Sequence, residues 1–155
     1  MKIIVLKMVG MNLRKVNVIG KITSATDKAK ISKLSATSKG GIGFPAIWDT
    51  HPSFTIQVPR DNGDGLHKSY LYNFPGNYDI GLLCQVQAYG SAGKLKELIR
   101  LAEGILEIVE MSALAITVNP GFILEGNLLK LGFTKEVEEE NPHSGNTIRF
   151  FIKEI

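Results

Sequence analysis

Cysteine is almost missing from the chain: Cys84 stands alone among 155 residues. One cysteine cannot close an internal disulfide, so nothing here asks for an oxidising compartment. It lies in the apolar run Ile80–Val86, where a thiol with no base beside it reads as a small buried hydrophobe. Long apolar runs are missing too, and none approaches the roughly 20 residues of a membrane-spanning helix. Met1–Val9 is apolar with two lysines, but it is short for a signal peptide and lacks a small-residue cleavage site. Histidine occurs three times, as His51, His67 and His143, without the spacing of a metal site. Internal repeats, low-complexity stretches and a linker long enough to divide domains are absent. The expectation is one cytoplasmic, soluble domain over residues 1–155, with no membrane and no metal.

What is present supports a packed core. Hydrophobic residues make up 44% and charged residues 21%, the proportions of a globular chain rather than a disordered one. The net charge of +3 hides an asymmetry. From Met1 to Gly40 the basic residues Lys2, Lys7, Arg14, Lys15, Lys21, Lys28, Lys30, Lys33 and Lys39 face only Asp27, so the remainder is net acidic. Such a region is either the solvated face of N-terminal helices or a surface for an acidic partner or nucleic acid. No aromatic residue is interleaved among these lysines, which disfavours single-strand binding.

The pattern along the chain predicts a mixed α/β domain. Lys2–Met8 reads as a strand, with Asn17–Gly20 extending it or forming a short second piece. Ala25–Leu34 reads as a helix capped by Thr23 or Ser24. Lys39–Phe44 reads as a glycine-rich loop, and Pro45–Pro52, with Trp48 as a packing anchor, is ambiguous. Ser53–Val58 alternates (Phe54, Ile56, Val58), Asp61–Gly65 is a hairpin turn, and His67–Phe74 alternates again through Tyr70, Tyr72 and Phe74. Tyr78–Gln87 is nearly continuously apolar, as a strand buried on both faces would be. Leu95–Met111 carries an apolar stripe at helical spacing. Leu114–Val118 is a short buried strand. Gly121–Leu131 is a helix stopped by Gly132. Thr134–Glu140 and Thr147–Ile155 are two final strands. A helix joining two strands requires a crossover, so Tyr78–Gln87 and Leu114–Val118 should be parallel neighbours in an otherwise antiparallel sheet.

The most informative stretch is the junction Gln85-Val86-Gln87-Ala88-Tyr89-Gly90-Ser91-Ala92-Gly93-Lys94. A buried strand ends, small residues follow, and a long helix begins. Glycines let a phosphate approach the backbone. The first-turn amides of a helix have no intrahelical partner and, with the helix dipole, form an anion site. Lys94 either adds charge at that mouth or is an ordinary exposed lysine. The stretch is neither a Walker loop nor G-x-G-x-x-G. Structural glycines at a tight turn are the plainer alternative.

Gln87-x-x-Gly90-x-Ala92 resembles the acetyl-CoA signature of the GNAT superfamily, Gln/Arg-x-x-Gly-x-Gly/Ala, and falls where that family has it. Leu114–Asn119 followed by Asn127-Leu-Leu-Lys-Leu-Gly132-Phe133 is similar to the family's fifth strand, last helix and closing segment. The resemblance covers Ser53–Ile155 well and the first fifty residues only in element order. It implies a mixed, mostly antiparallel sheet whose fourth and fifth strands splay around the cofactor, flanked by helices. Acetyl-CoA would be the cosubstrate, with its pyrophosphate on backbone amides from Ala88 to Lys94. The pantetheine would lie along Gln85, Val86 and Gln87, with Asn119 and Asn127 lining the channel. A primary amine of a small molecule or protein would attack the thioester directly. Asp79 is the best-placed carboxylate for a base, or else a turn residue. Tyr72 and Tyr78 could line an acceptor groove, and His143 lies near it. The run Glu136, Glu138, Glu139 and Glu140 suits a solvated strand edge or a cationic acceptor. The final strands leave a homodimer open.

One departure stands out. The family often places a tyrosine four residues before the glycine of Gly-Phe to protonate the leaving thiolate; here that residue is Leu128. A non-catalytic binding module on the same fold is the resulting alternative, with the basic N-terminal region engaging an acidic partner or nucleic acid.

Overall fold

The computed structural model describes residues 25–44, 53–60, 65–74, 77–86, 92–118, 124–140, 145 and 147–155. The expected strand Lys2–Met8, the piece Asn17–Gly20, the capping pair Thr23/Ser24 and the segment around Trp48 lie outside them. Ten elements follow in order: α1 (Ala25–Ser35), β1 (Gly41–Gly43), β2 (Phe54–Pro59), β3 (Leu66–Phe74), β4 (Asn77–Cys84), α2 (Ala92–Ile108), β5 (Ala113–Val118), α3 (Leu124–Lys130), β6 (Thr134–Glu140) and β7 (Thr147–Glu154).

The strands form one seven-stranded sheet in the order β1-β2-β3-β4-β5-β7-β6. Only β4 and β5 run parallel, in the register Ile80↔Ala113 to Leu83↔Ile116, and the other pairs are antiparallel. This is the expected mixed sheet. One expected loop is a strand instead: Gly41–Gly43 pairs with Thr55–Gln57 of β2. Its start is held by a side chain, since the Ile42 amide donates to Ser35 Oγ at 2.8 Å. A three-residue edge strand of this kind carries no local propensity signal.

Alternation assigns the two faces of the sheet. Phe54, Ile56 and Val58 of β2 point to the main core together with Leu71, Leu83, Leu114, Ile116 and Phe151. The apolar stripe of α2 (Leu95, Leu98, Ile99, Ala102, Ile105, Leu106) covers that face, and Ile31 of α1 and Leu128 of α3 complete the core. On the opposite face Phe74, Ile80, Ala113 and Ala115 form a smaller cluster, against which Leu82, Phe150 and Ile152 pack. β3 alternates as expected. The side packed into the main core is His67, Ser69 and Leu71, whereas Tyr70 and Tyr72 are half-buried on the other face. The partners across the ladder, Phe54↔Leu71 and Ile56↔Ser69, set which face is which.

Two helix ends use the same device. After α3, Gly132 is left-handed (φ 96°), its amide donates to Leu129 O, and Phe133 N donates to Leu128 O. These are the paired bonds of a Schellman cap, and the buried Leu128 and Phe133 supply its apolar contact. After α2 the same bonds join Glu110 to Glu107 and Met111 to Leu106, but the left-handed position is held by a glutamate, Glu110 (φ 59°). No described helix is long and apolar enough to cross a membrane.

Candidate functional site

The parallel seam between β4 and β5 is closed at one end and open at the other. At the closed end the Ser112 amide donates to Asp79 O at 2.8 Å, and Ser112 O accepts from Ile155 N at 3.0 Å. At the other end pairing stops at Leu83↔Ile116, although β5 runs on to Val118 and remains paired to β7 there. Among the described residues, none of β4 pairs with the β4-facing backbone of β5 beyond Ile116. Backbone groups left so can accept and donate to an added extended segment.

Beyond the open end lies the start of α2. Its first residues are Ala92, Gly93 and Lys94, and its first turn carries no acidic residue. The start of a helix carries the positive end of its dipole, and Lys94 there is half-exposed, a setting that suits an anion. The groups present thus fit the two chemically distinct parts of a CoA: an amide-containing arm and a pyrophosphate.

Of the predicted site residues, Gln85, Val86, Ala92, Gly93 and Lys94 are described: Gln85 and Val86 follow the last paired residue of β4, and Ala92, Gly93 and Lys94 begin α2. Gln87, Ala88, Tyr89, Gly90, Ser91 and Asn119 lie outside the described residues, as do His51 and His143. Asn127 is half-buried on α3, next to the fully buried Leu128. Leu128 is a core residue and one half of the cap contact, which accounts for its apolar nature. Asp79 is not brought to the open end. It is buried near the start of β4, tied by its backbone to the turn after α2. It lies four strand positions before Leu83, a distance of about 13 Å. The apolar strand signal placed it on β4 without saying which end of that strand would be open.

Three features escaped the sequence reading. His67 has a partner after all: it is 5% exposed and its Nε2 lies 2.6 Å from Gln85 O. The fully buried Ser69 donates its hydroxyl to the same oxygen at 3.3 Å. Gln85 itself is left-handed, at φ 60°. These contacts span 18 and 16 positions, so no local pattern announces them. Arg149, opposite Val118 at the end of β5, donates to both carboxylate oxygens of Glu125 at 2.7 Å and so ties α3 to the sheet beside the opening. On the other face Tyr70 lies across from Cys84, and Thr117 across from Phe150. Cys84 is half-buried, and burial pushes its thiol pKa up, in keeping with a hydrophobe. Among the described residues no group of three or more acidic, histidine or cysteine side chains could hold a metal.

No family model and no curated protein matches the sequence. Solved structures do match. An IAA acetyltransferase from Bacillus cereus ATCC 14579 superposes with a TM-score of 0.56 at 13% identity, over 83% of this chain and 95% of its own. A probable acetyltransferase from Staphylococcus epidermidis ATCC 12228 gives 0.54 at 14% identity, over 66% of this chain and 67% of its own. A chain of the NatC complex bound to Gag peptide and CoA gives 0.50 at 12% identity, over 87% of this chain and 94% of its own. At such identities the likeness is one of fold, and it agrees with the strand order, the single parallel pair and the crossover helices. The chain has the acyl-CoA N-acyltransferase, or GNAT, fold.

Proposed function

We propose that this protein transfers an acetyl group from acetyl-CoA to a primary amine of a small molecule or protein. The observation that supports the reading is the parallel β4/β5 seam, whose pairing stops at Leu83↔Ile116 at the end of β4 from which the chain runs on to α2. Backbone amides from Ala88 to Lys94 hold the pyrophosphate, and the edges of Gln85, Val86 and Gln87 hold the pantetheine as an added strand. Asn119 and Asn127 line the same channel. The bound thioester supplies an activated acyl group. The chain contributes alignment of that group with the amine, exclusion of water from the seam, and a backbone N–H at the end of β4 aimed at the carbonyl oxygen as its charge grows. With Asp79 at the closed end, the proton of the incoming ammonium leaves to solvent at the mouth. The rate then follows the acceptor's own pKa rather than that of a carboxylate.

Calorimetric titration with acetyl-CoA and with CoA tests this. The wild type should bind in the micromolar range, and Gly90→Glu, which places a bulky anion on the loop, should abolish binding. Lys94→Glu should weaken it by about tenfold, and less in high salt. Absence of binding by the wild type refutes the reading. Binding without release of thiol across a panel of amines converts it to a CoA-holding module.

A further inference from the structure

We propose that His67 and Ser69 are positioning residues that clamp the end of β4 and hold the seam open for the cofactor. The inference rests on the CoA reading only in what the open seam receives. The clamp itself stands on geometry. The β3–β4 ladder ends at Tyr70↔Cys84, one residue after the β4–β5 ladder has ended at Leu83↔Ile116. Residue 85, the first after β4, is thus paired to neither neighbouring strand. In a continuing ladder its carbonyl would accept from a backbone amide. Here two side chains of β3 take that place, His67 through Nε2 at 2.6 Å and Ser69 through Oγ at 3.3 Å. A carbonyl oxygen only accepts, so Nε2 of His67 carries a proton.

The arrangement has a cost that the clamp offsets. A non-glycine residue at φ 60° is disfavoured, and such strain persists only where surroundings hold it. Both donors are buried while Gln85 is exposed, so the rigid partner is β3 and the bent partner is β4. Fixing the Gln85 carbonyl toward β3 fixes the orientation of the two peptide planes around it. These planes present the last β4 groups to the seam and launch the chain toward α2. Without the clamp, residue 85 relaxes to an extended conformation, β4 lengthens alongside β5, and the gap narrows.

Three variants separate this role from plain stability. His67→Leu fills the ring's volume and donates nothing; His67→Gln keeps a donor; Ser69→Ala removes the weaker bond. Two readouts are taken on each, CoA affinity by calorimetry and hydrogen exchange of the amides of residues 84–86, with thermal melting alongside. His67→Leu should bind CoA about tenfold more weakly or worse and exchange faster at 84–86, since the Gln85 carbonyl has lost the shorter of the two bonds that fix it. His67→Gln should recover most of both, and Ser69→Ala should lie between. Wild-type affinity and wild-type exchange in His67→Leu overturn the clamp. So does loss in His67→Gln equal to that in His67→Leu at unchanged melting temperature. If the wild type binds no CoA, the acetyl-transfer reading falls, and exchange at 84–86 still decides the clamp. If His67→Leu does not fold, the contrast between His67→Gln and Ser69→Ala decides it: exchange at 84–86 in Ser69→Ala no faster than in the wild type refutes the proposal.

Discussion

Gly81 lies in the middle of β4, facing the underside of α2. A Cβ built there would sit 2.7 and 2.8 Å from the two methyls of Leu106 and 3.2 Å from a methyl of Leu71. Ordinary carbon contacts are about 3.5–4.0 Å, so Gly81→Ala must displace the Leu106 methyls by roughly 1 Å. Leu71 and Leu106 are both fully buried, which leaves them little room. Overpacking of this kind costs about 1–3 kcal/mol, and relief of glycine's entropic penalty in a strand returns about 0.5–1 kcal/mol. The difference is a net loss of up to about 2.5 kcal/mol, centred near about 1 kcal/mol, which for a chain of this size lowers the melting temperature by about 2–4 °C at the centre of that range. Gly126 is the internal control. It is exposed on α3, and a Cβ there would meet nothing within 4 Å. Gly126→Ala should raise the melting temperature by about 1–4 °C through helix propensity alone. Calorimetric melting of both variants beside the wild type is the assay. Gly81→Ala melting at or above the wild type, with Gly126→Ala behaving as stated, would refute the packing argument for β4 against α2.

Two further effects follow from the helices. Glu110→Gly removes a side chain from a left-handed position and should raise stability by about 0.5–1 kcal/mol, seen as a higher urea midpoint at constant slope. Unchanged or lower stability would mean that the cap after α2 does not form as described. Arg100, through its hydrogen bond first and its charge second, holds the Glu97 carboxyl below its ordinary pKa. A lowered folded-state pKa contributes stability that is present above the unfolded value and lost as pH falls through the folded one. Glu97→Gln should therefore be slightly less stable than the wild type near neutrality, by less than about 1 kcal/mol for so exposed a pair. The gap should close in acid and shrink in salt, and a constant gap from neutral to acid pH would show that the ion pair is not its source.

The readable parts of this fold were those in which each element states its own period. Phe54, Ile56 and Val58 mark one face of β2, and the Leu95-to-Leu106 stripe marks one face of α2, because burial on one side leaves a local imprint. Gly132 reads as a cap for the same reason: its backbone conformation is written in its residue type. Glu110 adopts that conformation without the residue that signals it, so the second cap was invisible. In β3 the alternation is legible, but which of its faces meets the main core is set by the ladder with Phe54 and Ile56, which puts Leu71 and Ser69 there. At the site, the parallel seam was legible through the crossover rule. Which end of β4 is open, and therefore how far Asp79 stands from it, is a property of pairing across the sheet. So is the meeting of His67 with Gln85, where two residues 18 apart come together only after a complete hairpin has formed.

The stitching of Ser112 to Asp79 and Ile155 also sets the mechanics of the sheet. With one end of the β4/β5 seam riveted and the other unpaired, the two halves of the sheet act as arms about a pivot. The arm from Ser112's partner Asp79 to the bend at Gln85 is roughly 20 Å long, so a rotation of about 3° at the pivot moves the mouth by about 1 Å. On the proposed reading, the paired end of the seam lies away from the guest and the unpaired end is where the guest enters. An extended guest of varying thickness is then accommodated by a small angle rather than by repacking of the core.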